Sequence, residues 1–469
     1  MGKVKNREAL LQVGDAHSRR IVLDVCERTL EKLDAYKRIR SIMRRDGAVL
    51  TIGQKQWDLS QKRHVYLLGA GKACNAMAKA AEDVLGDYLT HGIIIVKIHE
   101  PSDAFVRTEV HVGGHPLPNA AGMAACQRIL ELVDQAGPDD LFICMMSGGS
   151  SALMNCPVDG ISLEDDIRTT DVLLKSGASI LQINSVRRHI SQVNGGRLAQ
   201  RIDARGAELI GFNISDGVYN APTGDIGVPR ENFVATPIGP DQTTLQDALD
   251  LIRARNLAER LPQSVMHYLT TCGEAGETPK AFPRFTYYMV NTLPDSSIYA
   301  TQACEELGLQ SMVLTTFIEG ESREVGTMMA AVGREIQTYH RPVAPPCVVI
   351  ASGEAVTTIG DDDVLTGHGG PGQELTLSFA IGASKVPGLC MLSIDTEGTD
   401  GTTLAAGGLT DSTTLQRLEE KGIDVYAALR GHASFEALEA VGDVIVTGNT
   451  GTNLCDLNIM YVPEREEAE

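Results

Sequence analysis

Six apolar residues run into five small ones near the middle of the N-terminal half: Leu141-Phe142-Ile143-Cys144-Met145-Met146, followed by Ser147-Gly148-Gly149-Ser150-Ser151. A short apolar run bounded by glycine and serine predicts a buried strand, a tight turn and the start of a helix. Glycines let backbone N–H groups converge on an anion, and serine hydroxyls and a helix N-terminus add donors and partial positive charge. The segment indicates a phosphate-binding turn, although an ordinary strand-to-helix connection has the same composition.

Four other apolar runs end in the same kind of polar, glycine-rich loop. These loops lie, in chain order, at Gly69-Ala70-Gly71-Lys72, Ser352-Gly353-Glu354, 396–402 and 447–453. The ligand crevice of an open parallel sheet lies at the carboxyl ends of its strands, and we therefore expect several of these loops to face one site. The repetition predicts an enzyme.

Strands and helices alternate along most of the chain, which predicts an α/β protein with parallel sheets and two domains. A length of 469 residues with 43% hydrophobic residues supports this division. We predict an N-terminal domain at 1–272, a smaller α/β domain at 281–462 and a frayed tail at 463–469. Within the first domain, 8–48 is predicted as one or two helices and 184–203 as one helix.

Composition excludes several classes of function. The formal net charge is −20, and no basic stripe is present, which disfavours a nucleic-acid partner. The 10 cysteines show no zinc-ligand spacing and indicate a reducing compartment. No apolar run approaches membrane-spanning length and no signal sequence is seen, so we expect a cytoplasmic protein without a membrane partner.

Lys72 stands at the mouth of a predicted strand and opens a predicted helix. The loop before it lacks the spacing of a Walker A motif, and the third glycine of a dinucleotide fingerprint is missing. What remains is a cation that can reach a phosphoryl or carboxylate group, with a plain surface lysine as the alternative.

Acidic residues on the polar loops could hold magnesium, which prefers oxygen ligands and often binds through substrate phosphates. For each acid taken singly, capping of its own loop is the competing interpretation. The candidates are Asp216, Asp225, Glu354, Asp395, Glu397 and Asp400.

Several motifs together resemble the class II glycerate 2-kinases, the family with a MOFRL C-terminal domain. The likeness covers nearly the whole chain in the right order, which makes it more specific than any single glycine loop. Its main motifs are Asn184-Ser185-Val186-Arg187-Arg188-His189, Gly195-Gly196-Arg197, Ser215-Asp216, Gly239-Pro240-Asp241, Gln373-Glu374-Leu375, Gly398-Thr399-Asp400-Gly401 and Thr450-Gly451-Thr452-Asn453.

The resemblance implies a Rossmann-like N-terminal domain, a MOFRL-type C-terminal domain and ATP-dependent, magnesium-dependent phosphorylation of D-glycerate to 2-phospho-D-glycerate, by a monomer or a homodimer. Catalysis is assigned to Lys72, with Asp216 or Asp400 as the base. We place the remaining candidates as follows: Gly69, Gly71, 147–151 and Glu354 at the nucleotide phosphates; Arg188, Arg197, His368 and Gln373 at the substrate; Asp395 and Glu397 at the metal.

This chain departs from the family pattern inside the predicted ligand loops. Pro371-Gly372 stands where arginine and asparagine are common, and Asn194 stands where lysine is common. Glu397 and Thr399 replace the usual aspartate and isoleucine. The departures leave two alternatives to D-glycerate phosphorylation, a kinase of a larger acid such as tartrate or erythronate and a non-catalytic binder of a hydroxy acid. A third alternative, an NAD(P)H-dependent hydroxypyruvate reductase, comes from the activity label that some members of the family carry.

Overall fold

The structure, a computed structural model, describes residues 2–99, 104–217, 220–230, 237–360 and 364–465. The chain divides into two compact units. We call Ala35–Ser215 with Gly224–Val290 the parallel-sheet unit. Met1–Asp34, Asp216–Thr223 and Asn291–Glu469 form the mixed-sheet unit. These units do not coincide with the predicted domains at 1–272 and 281–462. The first helices pack on the sheet that is built mainly from the last third of the sequence, and they therefore belong to the mixed-sheet unit.

The parallel-sheet unit contains a six-stranded sheet and a small antiparallel three-stranded sheet. Its strands are β1 (Met43–Asp46), β2 (Val49–Ile52), β3 (Lys55–Asp58), β4 (His64–Ala70), β5 (His91–Val96), β6 (Thr108–Val112), β7 (Asp140–Met146), β8 (Glu208–Ser215) and β9 (Thr286–Thr292). The large sheet has the order β6-β5-β4-β7-β8-β9, and the pairs from β6 to β8 are parallel. The predicted α/β class is confirmed.

The mixed-sheet unit contains a second six-stranded sheet. Its strands are β10 (Ser311–Ile318), β11 (Cys347–Gly353), β12 (Cys390–Asp395), β13 (Gly407–Asp411), β14 (Val444–Ile445) and β15 (Asp456–Val462), in the order β10-β11-β15-β12-β13-β14. Only β10 and β11 pair in parallel, and the other neighbours are antiparallel. The chain directions nevertheless bring the ends of β11, β12 and β14 and the start of β15 to one edge.

The helices, in chain order, are α1 (Arg7–Leu11), α2 (Ala16–Leu33), α3 (Ala35–Ile42), α4 (Cys74–Leu85), α5 (Ala120–Asp134), α6 (Ser150–Leu153), α7 (Leu163–Leu174), α8 (Ile180–His189), α9 (Arg197–Ala204), α10 (Leu245–Ala254), α11 (Gln263–Thr271), α12 (Leu293–Glu306), α13 (Ser322–Tyr339), α14 (Pro371–Ala383), α15 (Thr414–Glu420), α16 (Val425–Arg430) and α17 (Ser434–Ala440). None of the described helices combines the length and hydrophobicity needed to cross a bilayer.

Strand β7 lies in the middle of the parallel sheet, and all seven of its residues are buried. Its alternate residues Phe142, Cys144 and Met146 pack in one core cluster with Ile129 and Val133 of α5. Full burial of such side chains stabilises the fold by about 1.5–3 kcal/mol each. The apolar run of the sequence thus anchors the loop that follows it.

Two helix predictions need correction. Residues 43–46, expected to be helical, instead form a β-hairpin with 49–52, because Gly47, with φ +55°, opens a two-residue turn between the strands. The single helix expected over 184–203 is two helices, since α8 ends at His189 and α9 begins at Arg197. Gly195 and Gly196, directly before α9, have positive φ of +67° and +81°, a conformation that favours glycine and sets the start of α9.

Candidate functional site

In the parallel-sheet unit, the loop carrying Lys72 and the serine–glycine loop form one structure. Their strands β4 and β7 are parallel neighbours, with Ala70 opposite Met146. The backbone N–H of Lys72 donates to the Gly148 carbonyl at 3.0 Å, and the N–H of Ala73 donates to Ser147 Oγ at 3.0 Å. These cross-links fix the lysine backbone against the turn.

Glycine is required where the two loops touch. A Cβ on Gly71 would clash with the Ser147 hydroxyl. Gly149 has φ +85°, and a Cβ there would lie 3.0 Å from His115 Cδ2 and 3.3 Å from Lys72 Cγ. The structure thus brings the lysine beside the serine–glycine turn and adds His115, which the sequence analysis did not select.

The helix after the serine–glycine turn is shorter than expected. Helix α6 spans only Ser150–Leu153. A macrodipole sums over aligned peptide units, and one turn of helix supplies little of it. The anion-binding capacity of this turn therefore depends on its local N–H groups and hydroxyls and on the neighbouring lysine.

Two arginines predicted at the substrate are engaged inside the protein. Arg188 is buried and its Nη1 lies 2.7 Å from Asp241 Oδ1. Arg197 donates from Nη2 to the Gly276 carbonyl at 2.6 Å. Both guanidinium groups therefore tie loops of the parallel-sheet unit together.

A buried polar chain extends from the serine–glycine turn. Asn194 Nδ2 donates to the Ser151 carbonyl at 3.1 Å and lies 3.5 Å from Asn155 Oδ1. The Asn155 amide donates in turn to Asp166. Burial raises the pKa of Asp166, and nearby Arg187 opposes that rise. The motif at 184–189 was the available sequence signal, but it did not single out Arg187, Asn155 or Asp166.

In the mixed-sheet unit, carboxylates gather at the sheet edge where β11 and β12 end and β15 begins. Asp395 and Gly353 are the register partners of Asp456 on its two sides, and Glu354 follows Gly353. Burial holds the pKa of the Cys455 thiol well above its usual value, and Asp216, Glu354, Asp395 and Asp456 all raise it further. Three predicted acids therefore surround this thiol, together with Asp456, which had not been selected.

Asp216 is held by the loop before β15. Its Oδ2 accepts a hydrogen bond from Asn453 Nδ2 at 3.0 Å, and its backbone carbonyl lies 3.5 Å from Cys455 Sγ. Asp216 is half-buried, so that its side chain keeps contact with solvent. A carboxylate in this setting is oriented and still accessible.

Asp400 is built into the framework. Its carboxylate accepts the backbone N–H groups of Gly372 and Gln373 at 3.3 and 2.8 Å, and it caps the N-terminus of α14. It is 1% exposed. Burial raises its pKa to about 6 against these hydrogen bonds, and Glu397 contributes to the rise. The Gln373 amide donates to the Thr403 hydroxyl at 2.9 Å and supports the same cap.

The predicted metal ligands lie at the end of β12, which is Asp395, and in the loop after it, which contains Glu397. Asp395 Oδ1 accepts the N–H of Glu397 at 3.1 Å, and Glu397 Oε1 accepts the Thr399 hydroxyl at 2.6 Å. Across the part of the chain that is described, no three His, Cys, Asp or Glu side chains are arranged to hold a metal ion. One or two carboxylates suffice for magnesium that a nucleotide holds through its phosphates, and the acids at this edge fit that arrangement.

His368 is the remaining predicted substrate residue. Its Nδ1 lies 2.8 Å from Glu436 Oε1, and the same carboxylate accepts the His368 backbone N–H at 2.9 Å. The imidazole is exposed and paired within the mixed-sheet unit.

Comparison with known proteins gives consistent matches. The family model described as Domain of unknown function (DUF4147) matches residues 21–270, and the MOFRL family model matches 347–456. Glycerate 2-kinase of Pyrococcus horikoshii is 35% identical over 450 residues, which are 95% of this chain and 98% of that protein. D-glycerate 2-kinase of Thermotoga maritima is 35% identical over 397 residues, 84% of this chain and 90% of that protein.

A putative hydroxypyruvate reductase of Agrobacterium vitis is 34% identical over 84% of this chain and 86% of its own length. The crystal structure of glycerate kinase from Thermotoga maritima superposes with a TM-score of 0.75 at 31% identity, covering 96% of this chain and 100% of that one. Sequence motifs, family models and fold agree, and the chain belongs to the class II glycerate kinase family.

Proposed function

We propose that this protein is an ATP-dependent kinase that transfers a phosphoryl group to the 2-hydroxyl of D-glycerate, giving 2-phospho-D-glycerate and ADP. The observation that carries the proposal is the packing of Lys72 on the serine–glycine turn at the carboxyl ends of β4 and β7. Its relatives named as glycerate 2-kinases support the substrate. We further propose that it acts in the cytoplasm, as a monomer or a homodimer.

Phosphoryl transfer depends mainly on positioning and on neutralising charge at the transferring group. We assign the charge neutralisation to Lys72, since the two loops fix its backbone. The N–H groups and hydroxyls of 147–151, with Gly69 and Gly71 allowing close approach, are assigned to phosphate oxygens. Glu354 remains a predicted nucleotide contact.

Magnesium, when bound with ATP, would add charge neutralisation at the phosphates, and Asp395 and Glu397 are the residues we assign to it. ATP itself supplies the phosphoryl group.

The general base is assigned to Asp216. A base must reach the substrate hydroxyl and accept its proton. Asp216 is half-buried and held by Asn453. Asp400 is fully buried, and its carboxylate oxygens accept hydrogen bonds from backbone N–H groups at the start of α14. We therefore assign Asp400 to positioning the first turn of α14.

A larger hydroxy acid is the second candidate substrate. The reason is Pro371-Gly372, the first two residues of α14, which place no cation where the family commonly has arginine. A site that lacks one clamp on a small acid would have to bind its substrate with other groups, and a larger acid offers more of them.

Hydroxypyruvate reduction is the third candidate, because putative hydroxypyruvate reductases are among the similar proteins. That chemistry needs a nicotinamide site, and the loop at Gly69-Ala70-Gly71 lacks the third glycine of the dinucleotide fingerprint.

The deciding experiment follows ADP formation from ATP and magnesium with D-glycerate, L-glycerate, tartrate, erythronate and hydroxypyruvate, with a parallel NAD(P)H absorbance trace. Strong ADP release with D-glycerate and a flat trace support the proposal. Release only with tartrate or erythronate keeps the kinase and changes the substrate. Nicotinamide oxidation without ADP overturns it.

A further inference from the structure

Three neighbouring arginines of the parallel-sheet unit differ in what their guanidinium groups contact. Arg188 forms an ion pair with Asp241 at 2.7 Å. Arg197 donates to the Gly276 carbonyl at 2.6 Å and to the Tyr268 hydroxyl. Within the described residues, Arg187 forms no ion pair, and its Nη1 has a long contact of 3.4 Å with Asn184 Oδ1. Arg187 is therefore the cation of this group that lacks a strong partner.

Arg187 is half-buried, and the surrounding protein partly desolvates its charge. Its side chain keeps partial exposure, yet burial lowers the pKa of its guanidinium, with Asp166 opposing and Arg188 adding to that effect. A guanidinium group that is partly removed from water carries a desolvation penalty, and a bound anion would offset this penalty. Asp166 gives only electrostatic support, because its carboxylate is engaged by Asn155.

Two buried polar atoms, connected to Asp166 through α7 and through Asn155, are also unsatisfied within the described chain. Thr170 lies one helical turn after Asp166 on α7, on the same face, and its buried hydroxyl has no hydrogen-bond partner among the described residues. Asn194 is 2% exposed, donates to the Ser151 carbonyl, and has an Oδ1 with no partner in the same described part of the chain. Buried polar atoms are nearly always hydrogen-bonded in a working protein, which indicates that a polar molecule completes these contacts.

We propose that Arg187 binds the carboxylate of the hydroxy-acid substrate and that Asn194, which is linked to Asp166 through Asn155, accepts a hydrogen bond from a substrate hydroxyl. This inference rests on the proposed function. Guanidinium and carboxylate match as a planar, two-bond pair, which fixes the acid in orientation as well as in place. In a chain of net charge −20, a small anion also needs a local cation to hold it. The polar chain Ser151–Asn194–Asn155–Asp166 connects this clamp to the serine–glycine turn.

The test compares D-glycerate with its neutral amide, D-glyceramide, in the wild type and in Arg187→Gln. We expect Arg187→Gln to raise KM for D-glycerate by roughly 100-fold or more, the loss of a charge-assisted pair. The amide should be used about equally well by both proteins, so that the preference for the acid collapses. Calorimetric titration of D-glycerate without ATP should show the same loss of binding.

Two further variants separate a clamp from a structural role. Arg187→Ala should regain activity when guanidinium chloride is added at millimolar concentration, because the free cation can occupy the vacated place. Arg205→Gln removes a partly exposed arginine of the same unit that bonds Asp134, and it should leave the acid preference unchanged. Circular dichroism and the melting temperature verify folding for every variant.

An equal loss on acid and amide, or collapse of the fold in both Arg187 variants, would make Arg187 structural and overturn the inference. An unchanged preference for the acid would do the same. A wild type that releases no ADP with any hydroxy acid would instead remove the proposed function, which is a separate outcome.

Discussion

Asn453 Nδ2 lies 3.0 Å from Asp216 Oδ2, and this hydrogen bond fixes the side chain that we assign as the base. The two residues are 237 positions apart in the chain and meet within the mixed-sheet unit. Asn453 belongs to the loop that leads into β15, the strand that begins with Asp456. The base assignment and the carboxylate edge are therefore parts of one local structure.

Asp216→Asn is expected to lower kcat by roughly 10²–10⁴, because proton removal from the substrate hydroxyl loses its acceptor. The substituted amide keeps the size of the side chain, and the melting temperature should stay within a few degrees. Steady-state ADP release measures the loss. Glu420→Gln, an exposed acid on α15, is the matched control and should behave as wild type. Full activity of Asp216→Asn would remove Asp216 from the reaction.

Lys72→Met is expected to lower kcat by about 10²–10³, the typical cost of removing one charge-stabilising donor. Its backbone contacts to the serine–glycine turn should persist, since they involve the N–H and not the side chain. Lys79→Met tests the same exchange on α4, where the amine pairs with Asp83 at 2.7 Å on the surface. If both variants turned over like the wild type, Lys72 would be a surface lysine.

The pH dependence of stability should report Asp400. Burial raises its pKa to about 6 in the folded protein, above the ordinary value of 3.8. Between these values the folded state holds the proton more tightly than the unfolded state, and the stabilisation from this group is lost as pH rises from about 4 to 6. A pKa raised from 3.8 to about 6 corresponds to a stabilisation of roughly 3 kcal/mol at low pH.

Asp400→Asn cannot ionise, and its melting temperature should lack this component. The difference in melting temperature, wild type minus variant, should therefore fall as pH rises from 4 to 7. A difference that stays constant, or grows, would contradict the raised pKa.

Pro371→Arg with Gly372→Asn tests the missing clamp at the start of α14. A guanidinium placed there should raise kcat/KM for D-glycerate by about tenfold through a charge-assisted contact. Room is tight at position 372, because an added Cβ would lie 3.0 Å from Ser393 Oγ and 3.3 Å from Asp400 Oδ2. Pro371→Arg alone avoids this contact and is the control. No gain in either variant would indicate that another cation already serves.

Arg19→Met should destabilise the mixed-sheet unit strongly. Arg19 is fully buried and pairs with Asp411 and, at 2.8 Å, with Asp443, both of which are also fully buried. Removing the cation leaves the buried carboxylate of Asp411 without its countercharge, while Asp443 keeps its pair with Arg417 at 2.7 Å. The expected cost is about 3–5 kcal/mol. Arg28→Met removes an exposed pair with Glu306 and should cost less than about 1 kcal/mol. Comparable melting temperatures of the two variants would refute the difference.

Local sequence was sufficient to predict β7, a central strand of the parallel sheet. The apolar run before Ser147 predicted β7 because burial on both faces requires continuous hydrophobic residues. The family was identified from ordered motifs, and the matches to DUF4147 and MOFRL confirmed it. The contact between the Lys72 loop and the serine–glycine turn also follows from sequence, since both strands end at the same edge of a parallel sheet.

Tertiary structure decided what each charged side chain is free to do. Arg187, Arg188 and Arg197 look alike in the sequence, and only the folded chain brings Asp241 to one and the Gly276 carbonyl to another. The sequence alone offered no reason to prefer Asp216 or Asp400 as the base. In the structure, the carboxylate of Asp400 accepts hydrogen bonds from the start of α14, and this distinguishes the two residues. Pairing and burial depend on partners far away in the chain, and a local pattern carries no information about them. Identity and fold were therefore determined by the sequence alone, and the availability of each ionisable group by the packing.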